Sequence, residues 1–408
     1  MVTIAQGIAK LTVFKKQTGL GAPASGSGGQ VMRREKSVFQ LDRDTFENTE
    51  IVQHQQSTGA VAGMRKVSGS LSGVVSPNTY STLLSSLLRK SFTATAAFAA
   101  STITISGTAA LWTFTASVAA PLFLTNGLKI GDVVRLSASG GTAGNKANNI
   151  LVMGVSSETV FTGITLNASA LTAEAITTCT VTVTGKKSLA PLTAHTKEYW
   201  TVEEFFPDVV RSELFTDVQP ATIDIGLPSD GNSTFAATFI GLNRTLAASQ
   251  VLTTPTAATT TAVQTAVHGS VLVNGVEYAT INAASLKIDG NVMVMEGVIG
   301  TNVAPDTSRG RIKVDGSITA LFESGVFSVL YDDATLISIV IAASADSTNN
   351  SEFCVYSMSA VKFTSDIPDD GEKGILRTLS FTAEMNAAGG AALANDQTII
   401  SIQDSAAA

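Results

Sequence analysis

Lys66-Val67-Ser68-Gly69-Ser70-Leu71 and Lys313-Val314-Asp315-Gly316-Ser317-Ile318 are one phrase written twice, 247 residues apart. The same offset sets Phe39-Gln40-Leu41-Asp42 on Leu286-Lys287-Ile288-Asp289. It also carries Tyr80, Leu83, Leu84 and Leu87 onto Phe327, Leu330, Tyr331 and Ala334. A register held across about 45 positions is a duplication, not chance. In the first copy Val67, Gly69, Leu71, Gly73 and Val75 alternate with Ser68, Ser70, Ser72 and Val74, as in a strand with one tightly packed face. Ser76-Pro77 then predicts a helix start, with Ser as N-cap and Pro at the first helical position. Tyr80, Leu83, Leu84, Leu87 and Leu88 form the i, i+3, i+4, i+7, i+8 stripe of a helix laid on a sheet. The second copy predicts the same helix from a Ser324 cap, packed through Phe327, Leu330 and Tyr331.

A later pair of turns, Leu227-Pro228-Ser229-Asp230-Gly231 and Ile367-Pro368-Asp369-Asp370-Gly371, matches at an offset of 140 instead. Copy one therefore carries about 107 additional residues between its helix and this turn. Residues 93–187 are such a piece, nearly all short alternating strands such as Val133-Val134-Arg135-Leu136 and Thr180-Val181-Thr182-Val183. The organisation expected is mainly β: a first copy in 1–92 and 188–245, a small all-β domain inserted at 93–187, and a second copy in 268–408. Between the copies, 246–267 is a Thr- and Ala-rich linker around Pro255. Residues 1–30 read as a mobile N-terminal arm, because Gln17 to Gln30 is Gly/Ser-rich and lacks periodicity.

Composition points to assembly. Charged residues make up 14% of the 408 residues, against roughly 25% in an ordinary soluble domain. With 44% hydrophobic residues, so thinly charged a surface suits an oligomer that buries several faces. A net charge of −7 argues against a protein that grips nucleic acid by its phosphates. The run from Ser91 to Leu128 carries no charge, but Gly107, Pro121 and Asn126-Gly127 break it. Its alternation, as in Thr102-Ile103-Thr104-Ile105-Ser106, reads as strands and not as a membrane helix. No charged-then-apolar signal segment is visible at the N-terminus, so a cytoplasmic origin is expected.

Little here reads as chemistry. His54, His195 and His268 lie far apart with no Cys or His at metal spacing, and Cys179 and Cys354 imply no disulfide framework. Cys354, in Phe353-Cys354-Val355-Tyr356, reads as a small buried hydrophobe. There is no G-x-S-x-G elbow. Gly19-Leu20-Gly21-Ala22-Pro23-Ala24 fits a dinucleotide fingerprint only formally, since Pro23 and the glycines after it prevent the helix that the motif needs. Asp42-Arg43-Asp44 begins like a calcium loop and fails at Phe46 and Glu47. Glu203-Glu204 are adjacent strand residues, which point to opposite faces and do not form a catalytic pair. No catalytic, cofactor or metal site is expected.

Several stretches resemble the major tail tube proteins of siphophages. They are Phe14-Lys15-Lys16-Gln17-Thr18-Gly19-Leu20-Gly21, Arg33-Arg34-Glu35-Lys36-Ser37, Gln55-Gln56-Ser57-Thr58-Gly59, Gly69-Ser70-Leu71-Ser72-Gly73, and Tyr199-Trp200-Thr201-Val202-Glu203-Glu204-Phe205-Phe206-Pro207-Asp208. The likeness covers both copies, roughly 1–92 and 196–390, and not the insertion. It implies a β-sandwich or barrel with one flanking helix per copy, whose inner sheet joins its neighbours around a channel. Related tubes stack rings of six such folds, so a duplicated chain implies trimeric, pseudo-hexameric rings. The implied partners are further copies of the chain, a tape measure protein, tail terminator and tip proteins, and DNA that passes the lumen without specific binding. The implied place is the virion tail, assembled in the host bacterial cytoplasm.

On that reading Asp42, Glu50 and Asp289 are candidate lumen residues. Gly19, Gly21, Gly26, Gly28 and Pro255 are candidate contacts between subunits or rings. The inserted domain is expected to face outward, since it would block a channel. The rival readings are a surface or secreted β-domain adhesin or carbohydrate-binding protein, and a β-rich glycan hydrolase. The first needs an export signal, and neither needs the constant 247-residue register.

Overall fold

A computed structural model describes residues 4–51, 53, 54, 56, 59–117, 122–369, 372 and 374–407. Of the residues singled out above, Gln55, Ser57, Thr58, Pro121, Asp370 and Gly371 lie outside these. The chain runs through β1 (Leu11–Lys16), β2 (Lys36–Glu47), β3 (Ala60–Val74) and α1 (Ser81–Leu88). After a long excursion it continues as β4 (Trp200–Phe206), β5 (Arg211–Leu227), β6 (Thr234–Gly241) and β7 (Asn243–Ala247). The later part has β8 (Gly269–Val273), β9 (Ile281–Asp289), β10 (Lys313–Leu321), α2 (Val326–Asp332), β11 (Ile337–Ser344), β12 (Phe353–Asp369), β13 (Leu376–Ala383) and β14 (Ser401–Asp404).

One pairing scheme appears twice. β2-β3-β6-β5 are neighbours in an inner layer, and so are β9-β10-β13-β12. β1-β4-β5-β7 form an outer layer, matched by β8-β11-β12-β14. The registers agree as well: Phe39 faces Gly69 and Asp42 faces Lys66, while Leu286 faces Gly316 and Asp289 faces Lys313. β5 and β12 serve both layers. Each turns the corner at an irregularity, between Pro220 and Thr222 in one and between Phe363 and Ser365 in the other, where an extra residue re-aims the strand. The two inner layers are continuous, because β5 pairs with β9 from Thr222 opposite Asp289 to Leu227 opposite Ala284.

The space between the layers holds one core that runs through both halves, from Phe39, Leu71 and Phe239 to Ile318, Tyr356 and Phe381. The glycines inside the strands make room for rings. A Cβ on Gly69 would run into Phe39, and one on Gly316 into Phe381 and the Ser285 carbonyl. Tyr80 stacks on Phe235 with centroids 3.7 Å apart and donates to the Arg33 carbonyl at 2.9 Å.

Both helices start later than their sequence signals predict. α1 begins at Ser81, not Pro77, because Asn78 adopts φ 64°, a left-handed conformation that cannot sit in a first helical turn. Ser76 Oγ spends its hydrogen bond on Thr79 Oγ1 at 2.6 Å and caps no helix. α2 is preceded by Gly325, and Ser324 does not cap it.

Asp404, on β14, ties the end of the chain to the turn before α1. Its carboxyl accepts from the Asn78 N–H at 2.8 Å and the Ala406 N–H at 2.9 Å. Burial pushes this carboxyl up to about 6, against the downward pull of those backbone donors. A carboxyl raised in the folded state favours folding when protonated, so its contribution is complete below about pH 4 and is lost as pH rises through about 6. Asp404→Asn should therefore gain on the parent by up to about 3 kcal/mol between pH 4 and pH 7 in denaturant unfolding. Parallel pH curves for the two proteins would refute this.

Residues 98–183 contain a closed six-stranded barrel, ordered Leu111–Ser117, Phe98–Thr108, Glu174–Val183, Val133–Ser137, Ile150–Val155 and Val160–Thr165. Its separate core includes Phe114 stacked on Phe161 at 4.5 Å and Phe123 edge-on to Phe161 at 5.1 Å. At the barrel's base Thr93 and Lys187 exchange both backbone hydrogen bonds, at 2.8 and 2.9 Å. One side of the barrel (Val133, Leu151, Ile164) packs on Leu272, Val340, Ala342, Phe353 and Val355, the back of the second outer layer. The uncharged run from Ser91 thus supplies two strands of this barrel. Among the described residues no helix is long and apolar enough to cross a membrane.

The stretch read above as a mobile arm is held by its own chain. Gly26–Ser27 pairs with Leu252–Thr253, and the Gly28 N–H donates to the Thr253 carbonyl at 3.0 Å. Leu11–Lys16 of that stretch is a strand of the outer layer, while the uncharged Gln17–Gln30 and the uncharged linker are short of partners alone and satisfy each other's backbone groups.

Candidate assembly surfaces

Alternation sends every second residue of the inner layers away from the core. That outward face is lined by hydroxyls and charges: Ser68, Ser70 and Ser72 on β3, Thr234 and Thr238 on β6, Ser285 and Lys287 on β9, Asp315 and Ser317 on β10. Asp42 and Asp289 lie on it. Asp42 accepts from Ser68 Oγ at 2.7 Å, and Thr382 Oγ1 donates to Asp315 at 2.7 Å. Acids face lysines across adjacent strands. Asp42 is opposite Lys66 and Asp289 opposite Lys313, and Asp224, Lys287 and Asp315 make one row over three strands. Burial pushes the Asp224 carboxyl up, and Lys287 works against that shift. Glu50 is elsewhere, in the exposed loop past β2, where its N–H donates to Asn48 Oδ1 at 2.9 Å.

The continuous inner sheet ends in two strands with an open side. Among the described residues β2 pairs only with β3, and the last part of β12, Ser365–Asp369, pairs only with β13. Exposed apolar side chains gather near both: Val38 on β2, and Ile367, Ile375, Leu321, Phe322, Val326 and Val329 around the end of β12 and α2. The two helices differ accordingly. Leu83, Leu84 and Leu87 on α1 are buried, as is Tyr80 before it, whereas on α2 Phe327 is buried, Leu330 is half-buried and Tyr331 is 37% exposed.

A family model described as phage tail tube protein matches residues 3–383. The chain belongs to the phage tail tube protein family. No curated protein matches it. As a tail tube protein it is a structural component of the virion tail, and its fold is mainly β as its alternation predicts.

The other residues singled out from the sequence make these contacts within the chain. The Gly21 N–H donates to Asp217 Oδ1 at 2.7 Å and the Gly26 N–H to the Val251 carbonyl at 3.1 Å, while the Gly19 carbonyl accepts from Ala22. Pro255 follows the strand that holds the arm. Glu203 and Glu204 do point apart. Glu203 takes the Val251 and Leu252 N–H groups, and Glu204 takes Ser37 Oγ and Lys10 Nζ, both at 2.8 Å. Cys179, in the barrel, and Cys354, in the outer layer, are free and buried, and burial pushes the Cys179 thiol up to about 11. Among the described residues no group of three or more His, Cys, Asp or Glu side chains could hold a metal ion.

The seam residues Thr222, Asp224 and Gly226 were not singled out from the sequence, and Ile367-Pro368-Asp369, read there as part of a turn, is instead the last stretch of β12, paired with β13. Thr222-Ile223-Asp224-Ile225 alternates like any half-buried strand, so the signal for a strand was there. The identity of its partner was not.

Proposed function

We propose that three copies close into a ring around a channel, that rings stack into a tail tube, and that DNA passes through the lumen to the host. The observation that carries this is the seam between β5 and β9, which makes one chain supply two matched inner layers side by side. The repeated strand order and register support a duplicated fold, hence pseudo-sixfold symmetry from three chains. Ring closure leaves no sheet edge open to uncontrolled pairing.

The hydroxyl-rich outer face of the inner layers would line the lumen, with Asp42 and Asp289 on it and Glu50 off it. Because acids face lysines there, it offers little net field to a phosphate backbone, and a cargo could slide without being held. This is a mixed surface, although the lumen candidates read from the sequence, Asp42, Glu50 and Asp289, are all acids. The barrel lies behind the outer layer, on the far side of the core from that face, which supports an outward position. The β2–β3 hairpin, with Phe46, Ile51 and Val61 exposed, is the surface we assign to stacking. A tape measure protein and the tail terminator and tip proteins complete the partners of this reading.

Negative-stain electron microscopy at rising concentration tests it. Hollow rings or tubes with threefold or pseudo-sixfold end views are the expected result. Persistent monomers at every concentration would overturn it.

A further inference from the structure

The seam inside one chain is a template for the seam between chains. β5 meets β9 by a definite antiparallel register: Thr222 faces Asp289, Asp224 faces Lys287 and Gly226 faces Ser285. Each partner has a counterpart with an open side. β2 matches β9 at the 247-residue offset. β12 matches β5, since both turn a corner at an irregularity and continue into the inner layer next to equivalent strands, β13 and β6.

We infer that Ser365–Asp369 of one copy pairs antiparallel with β2 of a second copy, Ser365 opposite Asp42, Ile367 opposite Gln40 and Asp369 opposite Val38. This rests on the ring reading above and fixes which strands meet and in what register. Three features of the chain agree with it. First, the faces match. Ser365 and Ile367 lie opposite Ser380 and Thr378 on the hydroxyl-lined face, and Asp42, Gln40 and Val38 occupy that face on β2. A register shifted by one residue would put the core side of one strand against the polar side of the other.

Second, the side chains suit each other. Val38, on the part of β2 that this register pairs, and Ile367 are both exposed, and the register makes them diagonal neighbours, within reach across a strand pair. Lys36 falls diagonal to Asp369, opposite in charge. Pro368 lacks an N–H, so the ladder forgoes at most one bond there, and the proline discourages longer, unspecific pairing along this edge. Third, the helices differ as the docking requires. Leu87 on α1 packs against Gly290, the residue just after β9. Its counterpart Ala334, beside Tyr331 on α2, is exposed and lacks such a cover. Arg43 of the second copy, the counterpart of Gly290 on β2, falls at that place.

Cysteine pairs test the register. Val38 and Asp369 are both exposed and sit at opposite ends of one chain's inner sheet, so a bond between them joins two copies. Val38→Cys combined with Asp369→Cys should, on copper–phenanthroline oxidation of assembled protein, give covalent chains that close at trimers on a non-reducing gel. The mismatched pair Val38→Cys with Ile367→Cys should link several-fold less, because a diagonal pair is about 7–8 Å apart against about 5 Å for a directly opposed one. Each single variant should give no trimer. Tubes visible by electron microscopy with no linking, or with the mismatched pair favoured, would overturn this register and leave the tube reading intact. Failure to form rings or tubes, in the parent as well as the variants, would overturn both.

Discussion

Lys187→Met is expected to cost about 3–5 kcal/mol of folding stability, and to loosen the barrel from the body first. Lys187 sits at the barrel's base between two acids, 2.5 Å from Asp132 Oδ1 and 2.7 Å from Asp396 Oδ2. The Asp132 side chain is 2% exposed, so water cannot replace the ammonium there. Burial by itself would draw the Lys187 ammonium down. The two carboxylates outweigh that and push it up to about 12, so it stays charged through the neutral range. Removing it leaves two acids facing each other in a poorly solvated site. Of the other neighbours, Lys129 gives its N–H to Asp132 Oδ2 at 2.9 Å but commits its ammonium to the Gly390 and Leu393 carbonyls, while the Val133 cluster is apolar and the Gln403 amide accepts from the Val133 N–H at 2.7 Å and donates to the Thr184 carbonyl at 2.7 Å. Denaturant unfolding with hydrogen exchange on residues 130–187 measures the effect. Combining Lys187→Met with Asp132→Asn should recover a substantial part of the loss, since one uncompensated charge is gone. If the double variant is no more stable than the single one, the packing of the lysine stem is what matters, and the charge argument is wrong.

Glu203→Ala should cost about as much, roughly 3–5 kcal/mol, since three donors would lose their acceptor at about 1–3 kcal/mol for each buried group left unsatisfied. The Glu203 carboxyl takes Ser212 Oγ at 2.5 Å and the N–H groups of Val251 and Leu252 at 2.7 and 2.8 Å. Leu252 is fully buried and Ser212 nearly so, so water reaches neither once the side chain is cut back. This one residue therefore pins the linker, and through Leu252–Thr253 it pins the arm at Gly26–Ser27. Hydrogen exchange at Val251, Leu252, Gly26 and Gly28 should accelerate together in the variant. Glu203→Gln keeps one acceptor oxygen and should fall between parent and alanine. Unchanged protection at the linker in Glu203→Ala would show that other contacts hold it.

Glu203 also shows where sequence reading stops. That adjacent glutamates point to opposite faces follows from the period of a strand, and it removed them as a catalytic pair. What each would hold did not follow, because Val251 and Lys10 reach them only through folding. The arm makes the same point from the other side. Gln17 to Gln30 has no periodicity and looked mobile, yet its backbone groups find partners in a linker more than two hundred residues away. Ser76-Pro77 failed locally: it is a good helix-start signal, but Asn78 takes a left-handed conformation, and its N–H goes to Asp404 on the last strand.

The sequence by itself determined the strands, their packed faces, the two helices and the repeated register, because each is written in the spacing of neighbouring residues. Only the tertiary structure decided that β5 meets β9, that the barrel sits behind the second outer layer, and that among the described residues β2 and the end of β12 keep an open side. Alternation tells a strand which face to bury and says nothing about which edge it will bond, since every strand edge offers the same N–H and C=O groups. The choice among edges belongs to the packing of side chains brought together from distant parts of the chain.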